Sequence, residues 1–467
     1  MNRRLIYLSC AFASATLLAA CDSAPKDAGY DDVRDLISDR TGLTVHWNAQ
    51  TPDDAAVADA INKILGAKMT ADQAAQIALL NNHHLQATFE NLGIAQSDLV
   101  QAGLLKNPVF DLGVRFPDHA PAGTYLDIGV TEDFLDIALI PARKRLAAAQ
   151  FEEAKARVSN EVLMLVAQTR ADFCVYQAAE QTLDLRRTEA RISAASLEAA
   201  HKLHDVGNLT DLALANERAQ NARGKIDLSD AEASAAEARE KVSSDMALSD
   251  SQTMWTAARL PETIEPDFPD QNLESLALKQ RQDLAAARKD VLAQAQALGM
   301  TSDFRFFSEL NLGPEFERET DGQWRIGPTL SLPLPLFDQG QAKITRAQSM
   351  LRQSEQRCLA LAMDIQSQVR TARVKLSSAR KKALLYRDEV LPAEREVMHQ
   401  MELQYNGMYV GVLQLLQAKR EQIDASRQFI ESLRDYWIAR AELEQALGGR
   451  LPSPTSTTQP EPNGGPQ

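Results

Sequence analysis

The same order of helical and alternating segments occurs twice in this chain, and the two copies lie about 200 residues apart. The helical pattern that begins at Asn82-His83-His84-Leu85 runs into an alternating segment near Val109. The pattern that begins at Arg281-Gln282-Asp283-Leu284 runs into another near Phe306. Downstream, residues 203–218 match residues 404–419 in their glycine and leucine pattern. A period this long predicts two structural repeats in one chain rather than a short-repeat solenoid.

Each repeat also contains two segments in which apolar and polar residues alternate. The apolar positions of the first repeat are Phe110, Leu112, Val114 and Phe116, then Leu126, Ile128 and Val130. Those of the second repeat are Phe306, Leu310, Leu312 and Phe316, then Trp324, Ile326, Leu330, Leu332 and Leu334. Between them lie charged and small residues, including Asp111, Asp127, Glu315 and Glu317. Because side chains alternate across a strand, this pattern predicts four strands of about ten residues, each with one apolar and one polar face.

The N-terminus has the features of a secretory signal. A basic MNRR precedes an apolar run of about 16 residues, which is shorter than a membrane span. The run ends in Leu18-Ala19-Ala20-Cys21, which resembles a bacterial lipobox and implies cleavage before Cys21 and a lipid such as palmitate at that residue. Asp22 resembles a signal that retains lipoproteins in the inner membrane of enteric bacteria. The alternative to cleavage is an uncleaved anchor.

Two interpretations fit the four predicted strands. Helices could cover the apolar face of an ordinary half-buried sheet, or the strands could belong to a transmembrane β-barrel with lipid outside and water inside. Tyr125 and Trp324 fall near strand ends, where aromatic girdles lie in membrane barrels. Four strands cannot close such a barrel, since the smallest have about eight. Three copies under cyclic symmetry would supply about twelve strands and leave no open edge.

Long helices are predicted after each pair of strands. No proline or glycine occurs between Pro141 and His204, and apolar residues recur there at heptad-like spacing. Gln339 to Tyr405 form a similar segment with a kink expected at Pro392. Pro141 is expected in a first helical turn, and Asp338 is expected as an N-cap. Each helix ends near a glycine, Gly207 or Gly407, after which a second helix returns. By itself this pattern also fits a periplasmic coiled-coil hairpin.

Composition and motifs exclude several classes of function. The formal net charge of -14 provides no basic surplus for binding nucleic acid. The sequence contains no G-x-x-x-x-G-K-[ST], H-E-x-x-H, C-x-x-C or G-x-S-x-G motif, so it predicts no enzyme and no cofactor beyond the covalent lipid. After loss of the signal and acylation of Cys21, two cysteines remain, Cys174 and Cys358, too few for a disulfide framework.

Taken in order, five stretches resemble the TolC family of outer membrane efflux channels. They are AGLLKNPVF before the first strand, RQDL at the start of the second repeat, LPLPLFDQGQ after the fourth strand, and VGNLTDL and YNGMYVGVLQLLQA at the helical turns. The resemblance covers nearly all of the mature chain. It implies a homotrimer in the outer membrane, with a twelve-stranded β-barrel that continues into a long α-helical barrel. Such a channel is the exit duct of a tripartite pump and conducts solutes passively. An inner membrane pump and a periplasmic adaptor deliver these solutes, and the pump is expected to be of the resistance-nodulation-division type.

On this basis the chain divides into six segments. They are a signal peptide (1–20), a lipid tether with an N-terminal equatorial segment (21–69), repeat 1 with its β-hairpin at 108–136 (70–247), an equatorial linker (248–277), repeat 2 with its β-hairpin at 304–337 (278–448), and a disordered tail (449–467). The tail is expected from its Pro, Ser, Thr and Gly content. Two readings remain: an outer membrane duct, or an interaction lipoprotein held at the inner membrane.

The resemblance also implies two kinds of site at the helical turns. Adaptor contacts are expected at the turns themselves, at Gly207, Asn208, Leu209, Gly407, Met408 and Val410. The family's periplasmic constriction maps onto Tyr405, Gln414 and Gln417. Family members carry aspartates where this chain has the two glutamines, which leaves a cation-binding constriction in doubt here. Ordinary coiled-coil surface is the alternative for all three residues.

The transported substrate is left open by the sequence. The sequences of the stretches AGLLKNPVF and LLNNHHLQA resemble those of the heavy-metal branch of the family. Imidazole and thioether side chains, which can bind transition metals, occur near the turns: His201, His204, Met398, His399, Met401 and Met408. Surface histidines and packing methionines are common without any metal, so metals, drugs and organic solvents all remain candidates.

Overall fold

The computed structural model describes residues 28–48, 53–116, 118, 123–249, 252, 254–265, 272–306 and 309–451. The predictions for the signal peptide, for Cys21 and Asp22, and for nearly all of the tail fall outside these residues. Among the described residues, no helix combines the length and the apolar character needed to cross a membrane.

Helices account for most of the described chain. Those of the first half are α1 (Tyr30–Thr41), α2 (Asp53–Leu65), α3 (Ala71–Asn81), α4 (His83–Gly103), α5 (Phe134–Asp205) and α6 (Asp211–Asp245). Those of the second half are α7 (Leu273–Gln280), α8 (Gln282–Asp303), α9 (Gln341–Leu385), α10 (Leu391–Asn406) and α11 (Val412–Leu447). The order of α3 to α6 with their strands is repeated by α7 to α11 with theirs. The prediction of a mainly α-helical chain with a β portion and two internal repeats is confirmed.

The strands form two sheets. Strands β1 (Lys68–Met69) and β4 (Thr256–Ala257) pair in parallel. The larger sheet is antiparallel throughout and has the order β2 (Val109–Arg115), β3 (Tyr125–Asp133), β5 (Asn311–Arg318), β6 (Trp324–Ser331). The two predicted hairpins are therefore neighbours in one sheet, and β3 and β5 join them.

The strands are shorter than the alternating patterns predict. Phe306 and Leu310 precede β5, and Leu332 and Leu334 follow β6. The cause at the end of β6 is the sequence Leu-Pro-Leu-Pro, because the two prolines have no backbone N–H to donate to a ladder. A periodic pattern continues past the last residue that can pair, so pattern alone overestimates strand length.

Two compact units share the chain, and each takes segments from both repeats. The first, here called the sheet unit, comprises Met1–Val33, Phe89–Val158 and Asp283–Ala360. The second, the helical unit, comprises Arg34–Thr88, Ser159–Gln282 and Leu361–Gln467. The units therefore do not follow the repeat boundaries.

The helical unit is built on an aromatic core. Trp255, Phe173 and Tyr176 are all buried, and the Trp255 ring centroid lies 6.1 Å from that of Phe173 and 4.9 Å from that of Tyr176. Arg239 covers the Trp255 ring at 4.5 Å and donates a hydrogen bond to the Trp255 carbonyl oxygen at 2.7 Å. A second cluster contains Leu260. The described part of the predicted linker thus supplies core residues to this unit.

Helix boundaries differ from the predictions at Pro141 and Asp338, and the second long helix has an irregular turn just before Pro392. Helix α5 begins at Phe134, so Pro141 lies inside it rather than in its first turn. The second long helix is interrupted by a π-helical turn at Tyr386–Val390, and Pro392 lies in the first turn of α10. Asp338 precedes α9 by three residues, and its carboxylate accepts the Gly340 N–H at 2.9 Å instead of capping the helix. These corners follow tertiary packing rather than local preference.

Candidate functional site: the two-faced sheet and the helical turns

Register places the predicted apolar positions that lie in the large sheet on one face. Leu112 pairs with Ile128, Ile128 with Phe316, and Phe316 with Ile326. Further side chains on this face are strongly exposed: Phe110, Val114, Leu330 and Trp324. An exposed, continuous apolar face of this kind is unfavourable in water and fits contact with lipid or with another protein.

The opposite face of the sheet is acidic and polar. Asp127, Glu315 and Glu317 can bring one carboxylate oxygen each within 4.8 Å of one another. The Tyr125 hydroxyl donates to Glu317 at 2.9 Å, and Thr329 donates to Glu315. Asp127 pairs with Glu317 across β3 and β5. This face therefore concentrates negative charge and hydrogen-bonding groups, as expected of a face in contact with water.

A charged cluster joins the sheet to α5. Lys106 lies 3.3 Å from both Asp133 and Asp136, and Arg143 donates to Asp136 at 2.8 Å. The Asp136 side chain is 1% exposed. Burial by itself would raise the pKa of Asp136, but hydrogen bonds from Arg143 and Lys106 outweigh it and hold that pKa below its ordinary value. Lys106 belongs to the AGLLKNPVF stretch, so the structure gives this sequence motif a physical role.

The turn between α5 and α6 is closed by local hydrogen bonds. Gly207 has φ +76°, which a residue with a Cβ rarely adopts, and the Asn208 N–H donates to the Leu203 carbonyl at 2.8 Å. Thr210 caps α6 by accepting the Ala213 N–H at 3.3 Å. His204 Nε2 lies 2.8 Å from Asp211 Oδ1 across the turn.

The turn between α10 and α11 has the same backbone path with different residues. The left-handed position is Met408, with φ +63°, and the Tyr409 N–H donates to the Gln404 carbonyl at 2.9 Å. Met408 and Tyr409 are 92% and 86% exposed. A methionine held in a left-handed conformation with its side chain in solvent is unfavourable for folding alone. Of the predicted adaptor-contact residues, Gly207, Asn208, Gly407 and Met408 are exposed, and Leu209 and Val410 are half-buried.

Comparison with known proteins identifies the kind of protein that has this architecture. Residues 273–449, which contain the second repeat, match the family described as "Outer membrane efflux protein". The chain is also similar to the cobalt-zinc-cadmium resistance protein CzcC of Cupriavidus metallidurans, with 21% identity over 389 residues, 81% of this chain and 90% of the relative. The second half of the chain thus resembles outer membrane efflux proteins.

Solved structures of such efflux proteins share the fold. The Campylobacter jejuni CmeC outer membrane channel matches with a TM-score of 0.69 and 14% identity over 81% of this chain and 85% of that one. The open-state Neisseria gonorrhoeae MtrE outer membrane channel matches with a TM-score of 0.67 and 17% identity over 81% of this chain and 88% of that one. The fold is retained at these low identities because face alternation and helix packing tolerate many sequences.

Within the described chain, the three residues predicted for the constriction share no hydrogen bond with one another. Gln414 Oε1 accepts the Gly411 N–H at 2.9 Å at the start of α11. Gln417 Oε1 accepts two hydrogen bonds from Arg420, at 3.1 and 2.8 Å. Tyr405 is exposed on α10. The constriction residues stay predictions, with both glutamines engaged on their own helix.

A largely buried ion pair that the sequence did not indicate links the two halves of this chain. Arg420 of α11 lies 3.6 Å from Glu217 of α6, and their side chains are 10% and 14% exposed. Ser196 of α5 donates to Glu217 at 2.7 Å. In the sequence both charged residues look like solvent-facing positions of amphipathic helices. Their burial depends on helices that are about 200 residues apart in the chain.

The metal-binding side chains near the turns do not form a site in the single chain. His204 is paired with Asp211, and Met398 is buried within the helical unit. Across the described ranges, the only group of three or more potential metal ligands among His, Cys, Asp and Glu is Asp127, Glu315 and Glu317 on the sheet. The sheet, rather than the turns, therefore carries the cation-attracting groups.

Proposed function

We propose that this protein is the outer membrane exit duct of a tripartite efflux system. The observation that carries the proposal is the four-stranded sheet with one exposed apolar face and one acidic face, continued by long helices. Lipid would cover the apolar face, and the acidic face would line a water-filled passage. The resemblance of the second half of the chain to outer membrane efflux proteins supports this function.

The duct closes by oligomerisation. The edges of the sheet are β2 and β6, and each edge strand presents backbone groups that need partners in a bilayer. Three copies in a ring would pair β6 of each copy with β2 of the next and form a barrel of about twelve strands. We expect the purified protein in detergent to have the mass of three chains plus micelle. A monomer with intact β-structure would contradict closure by three copies.

The helical turns are the contact for a periplasmic adaptor, which connects the duct to an inner membrane pump. The exposed side chains Met408, Tyr409 and Leu212 give the turns an apolar surface suited to a protein partner. The duct would perform no chemistry of its own, and energy would come from the pump. Whether that pump is of the resistance-nodulation-division type can be tested by co-purification with the intact tripartite complex.

Divalent metal cations are the proposed cargo. The relative CzcC is named for resistance to cobalt, zinc and cadmium. The acidic face formed by Asp127, Glu315 and Glu317 would attract cations into the passage without a resident metal. Cells that lack the protein should accumulate more zinc, cobalt or cadmium than cells that express it. Unchanged metal content together with raised drug content would contradict the cargo and retain the duct.

The location is the outer membrane, with a lipid on Cys21 as an additional anchor. The alternative, a coiled-coil lipoprotein at the inner membrane, rests on Asp22. Fractionation separates the two, since recovery only with inner membrane vesicles would exclude the duct. Cys21→Ser should abolish labelling with a radioactive fatty acid, whereas Cys358→Ser should not.

A further inference from the structure

Two aspartates from neighbouring helices share one lysine at the end of α6. Lys241 Nζ lies 2.7 Å from Asp245 Oδ1 on the same helix and 3.4 Å from Asp172 Oδ2 on α5. Gln168 donates a hydrogen bond to Asp172 Oδ2 at 2.7 Å. The side chains of Asp245 and Asp172 are 9% and 17% exposed. The two carboxyl groups are therefore held largely out of water, whereas the Lys241 side chain is 56% exposed.

Among the described residues, Lys241 is the one cation that pairs with Asp245. The charged groups that act on it are Asp172 and Lys241. From the end of α3, the uncharged Asn82 donates to the Asp245 backbone carbonyl at 2.8 Å. Arg239 of α6 donates instead to the Tyr176 hydroxyl and the Trp255 carbonyl. One ammonium group cannot neutralise two buried carboxylates, so a net negative charge would remain at this position if both were ionised.

One oxygen of Asp245 also lacks a donor. Within the described part of the chain, Asp245 Oδ2 is buried and accepts no hydrogen bond. A proton on this oxygen would donate to the Asp172 carboxylate and satisfy both groups. Burial raises the pKa of Asp245 to about 6, with Lys241 opposing the shift and the hydrogen bond to Asp172 adding to it. The unpaired Asp245 oxygen and the raised pKa of Asp245 thus point to the same protonated species.

We propose that Asp172 and Asp245 hold one proton between them, and that this shared proton fastens the end of α6 to α5 in acid and weakens that attachment as the pH rises. The same helix end is also held through Asn81, which donates to the carbonyl oxygens of Met246 and Ala247 at 2.9 and 2.7 Å. Loss of the proton would leave two negatively charged carboxylates that repel each other beside this attachment. All of these residues belong to the helical unit, so the device does not depend on the proposed function.

The direction of the effect follows from the raised pKa of Asp245. A carboxyl group that holds its proton more tightly in the folded chain adds stability in acid, and that stability is lost as the pH rises through about 6. From about pH 5 to about pH 7.5 the ratio of closed to open forms of the α6 end should fall by about tenfold. Local opening is the relevant quantity, because global unfolding of an assembled channel is not a two-state process.

Hydrogen exchange of the full-length protein tests the proposal. After correction for intrinsic exchange, amides at the end of α6 should be about tenfold more protected at about pH 5 than at about pH 7.5. In Asp172→Asn, the introduced amide can donate to Asp245 without a titrating proton. Protection of this variant at the higher pH should rise to the acid level of the natural protein and lose its pH dependence. A merely damaging substitution would lower protection instead.

Two further variants complete the test. Asp245→Asn should also remove the pH dependence, because the amide replaces the protonated carboxyl group. Glu198→Gln is the matched control, since Glu198 pairs with Lys202 at 2.7 Å on an exposed face, and it should leave the profile of α6 unchanged. A flat profile in the natural protein would overturn the shared proton. So would an Asp172→Asn variant that keeps the pH dependence or loses protection.

Discussion

Gly313 allows β5 to pass close to β3, and replacing it gives a sharp test of the sheet. An ideal Cβ at Gly313 would overlap the Val130 carbonyl oxygen and lie 2.8 Å from the carbonyl carbon and 2.9 Å from the Thr131 Cα. These are backbone atoms of a paired strand, so they cannot rotate away. Gly313→Ala must therefore push β3 and β5 apart in the middle of the sheet, between the pairs Gly129–Glu315 and Glu132–Leu312.

Gly327 provides the matched control on β6. It lies on the same polar face of the sheet, but a Cβ built there meets nothing within 4 Å. Overpacking at Gly313 should cost about 1 to 3 kcal/mol, whereas Gly327→Ala should stabilise by about 0.4 to 1 kcal/mol by restricting the unfolded chain. The two variants should thus differ by about 1.4 to 4 kcal/mol per chain, and an assembled ring would contain three copies of the change.

Assembly in membranes is the appropriate measurement for this pair. The fraction of each variant that migrates as unheated oligomer in detergent gels should fall strongly for Gly313→Ala and stay at the natural level for Gly327→Ala. Urea titration of the purified oligomers should rank them in the same order. Equal behaviour of the two variants would show that β3 and β5 do not pair in this register.

Other substitutions test the faces, the joint and the turns. Leu330→Arg should impair membrane assembly, at a cost of about 2 to 4 kcal/mol if the residue lies near the bilayer midplane. Asn311→Arg, on the polar face, should have a mild effect. Equal losses of membrane-inserted protein for the two variants would refute the face assignment. Asp136→Asn should cost about 1.5 to 3 kcal/mol near neutral pH, because it removes the carboxylate that accepts hydrogen bonds from the charged groups of Arg143 and Lys106. Because the pKa of Asp136 is lowered, the advantage of the natural residue should shrink as the pH falls below about 4 in denaturant titrations, and a constant difference would contradict the pairing. If the Tyr405 hydroxyl bonds to a neighbouring helix, as the family resemblance implies, Tyr405→Phe removes about 0.5 to 1.5 kcal/mol and should raise single-channel conductance with unchanged oligomer yield. Gln414→Asp should place like charges close together, and their repulsion should favour an open channel or block by divalent cations. If neither Tyr405→Phe nor Gln414→Asp alters conductance, the constriction lies elsewhere.

The strained backbone at the second turn bears on how the duct meets its partner. Gly207 and Met408 occupy equivalent left-handed positions, but only Met408 incurs the steric penalty of a side chain. Folding would be better served by glycine at both positions. A side chain retained at the exposed apex of the turn is consistent with selection for contact with another protein.

Local sequence patterns determined most of the architecture of this protein. Alternation with a period of two depends only on neighbouring positions, and it placed Leu112, Ile128, Phe316 and Ile326 on one face before register was known. The absence of proline and glycine from 142–203 likewise predicted a long helix from short-range preferences alone. The repeat then implied that the second half would copy the first.

Only the tertiary structure decided where elements end and which charges are buried. Helix α5 begins ahead of Pro141, and the start of the helix is paired with Lys106 from outside it, a contact that a local pattern does not contain. Arg420 and Asp245 occupy ordinary helical positions in the sequence. Each is buried by a helix far away along the chain, so the energy of its charge depends on partners that secondary structure cannot specify. Periodicity determines on which face of its helix or strand a side chain lies, but only tertiary packing determines which residues that side chain contacts.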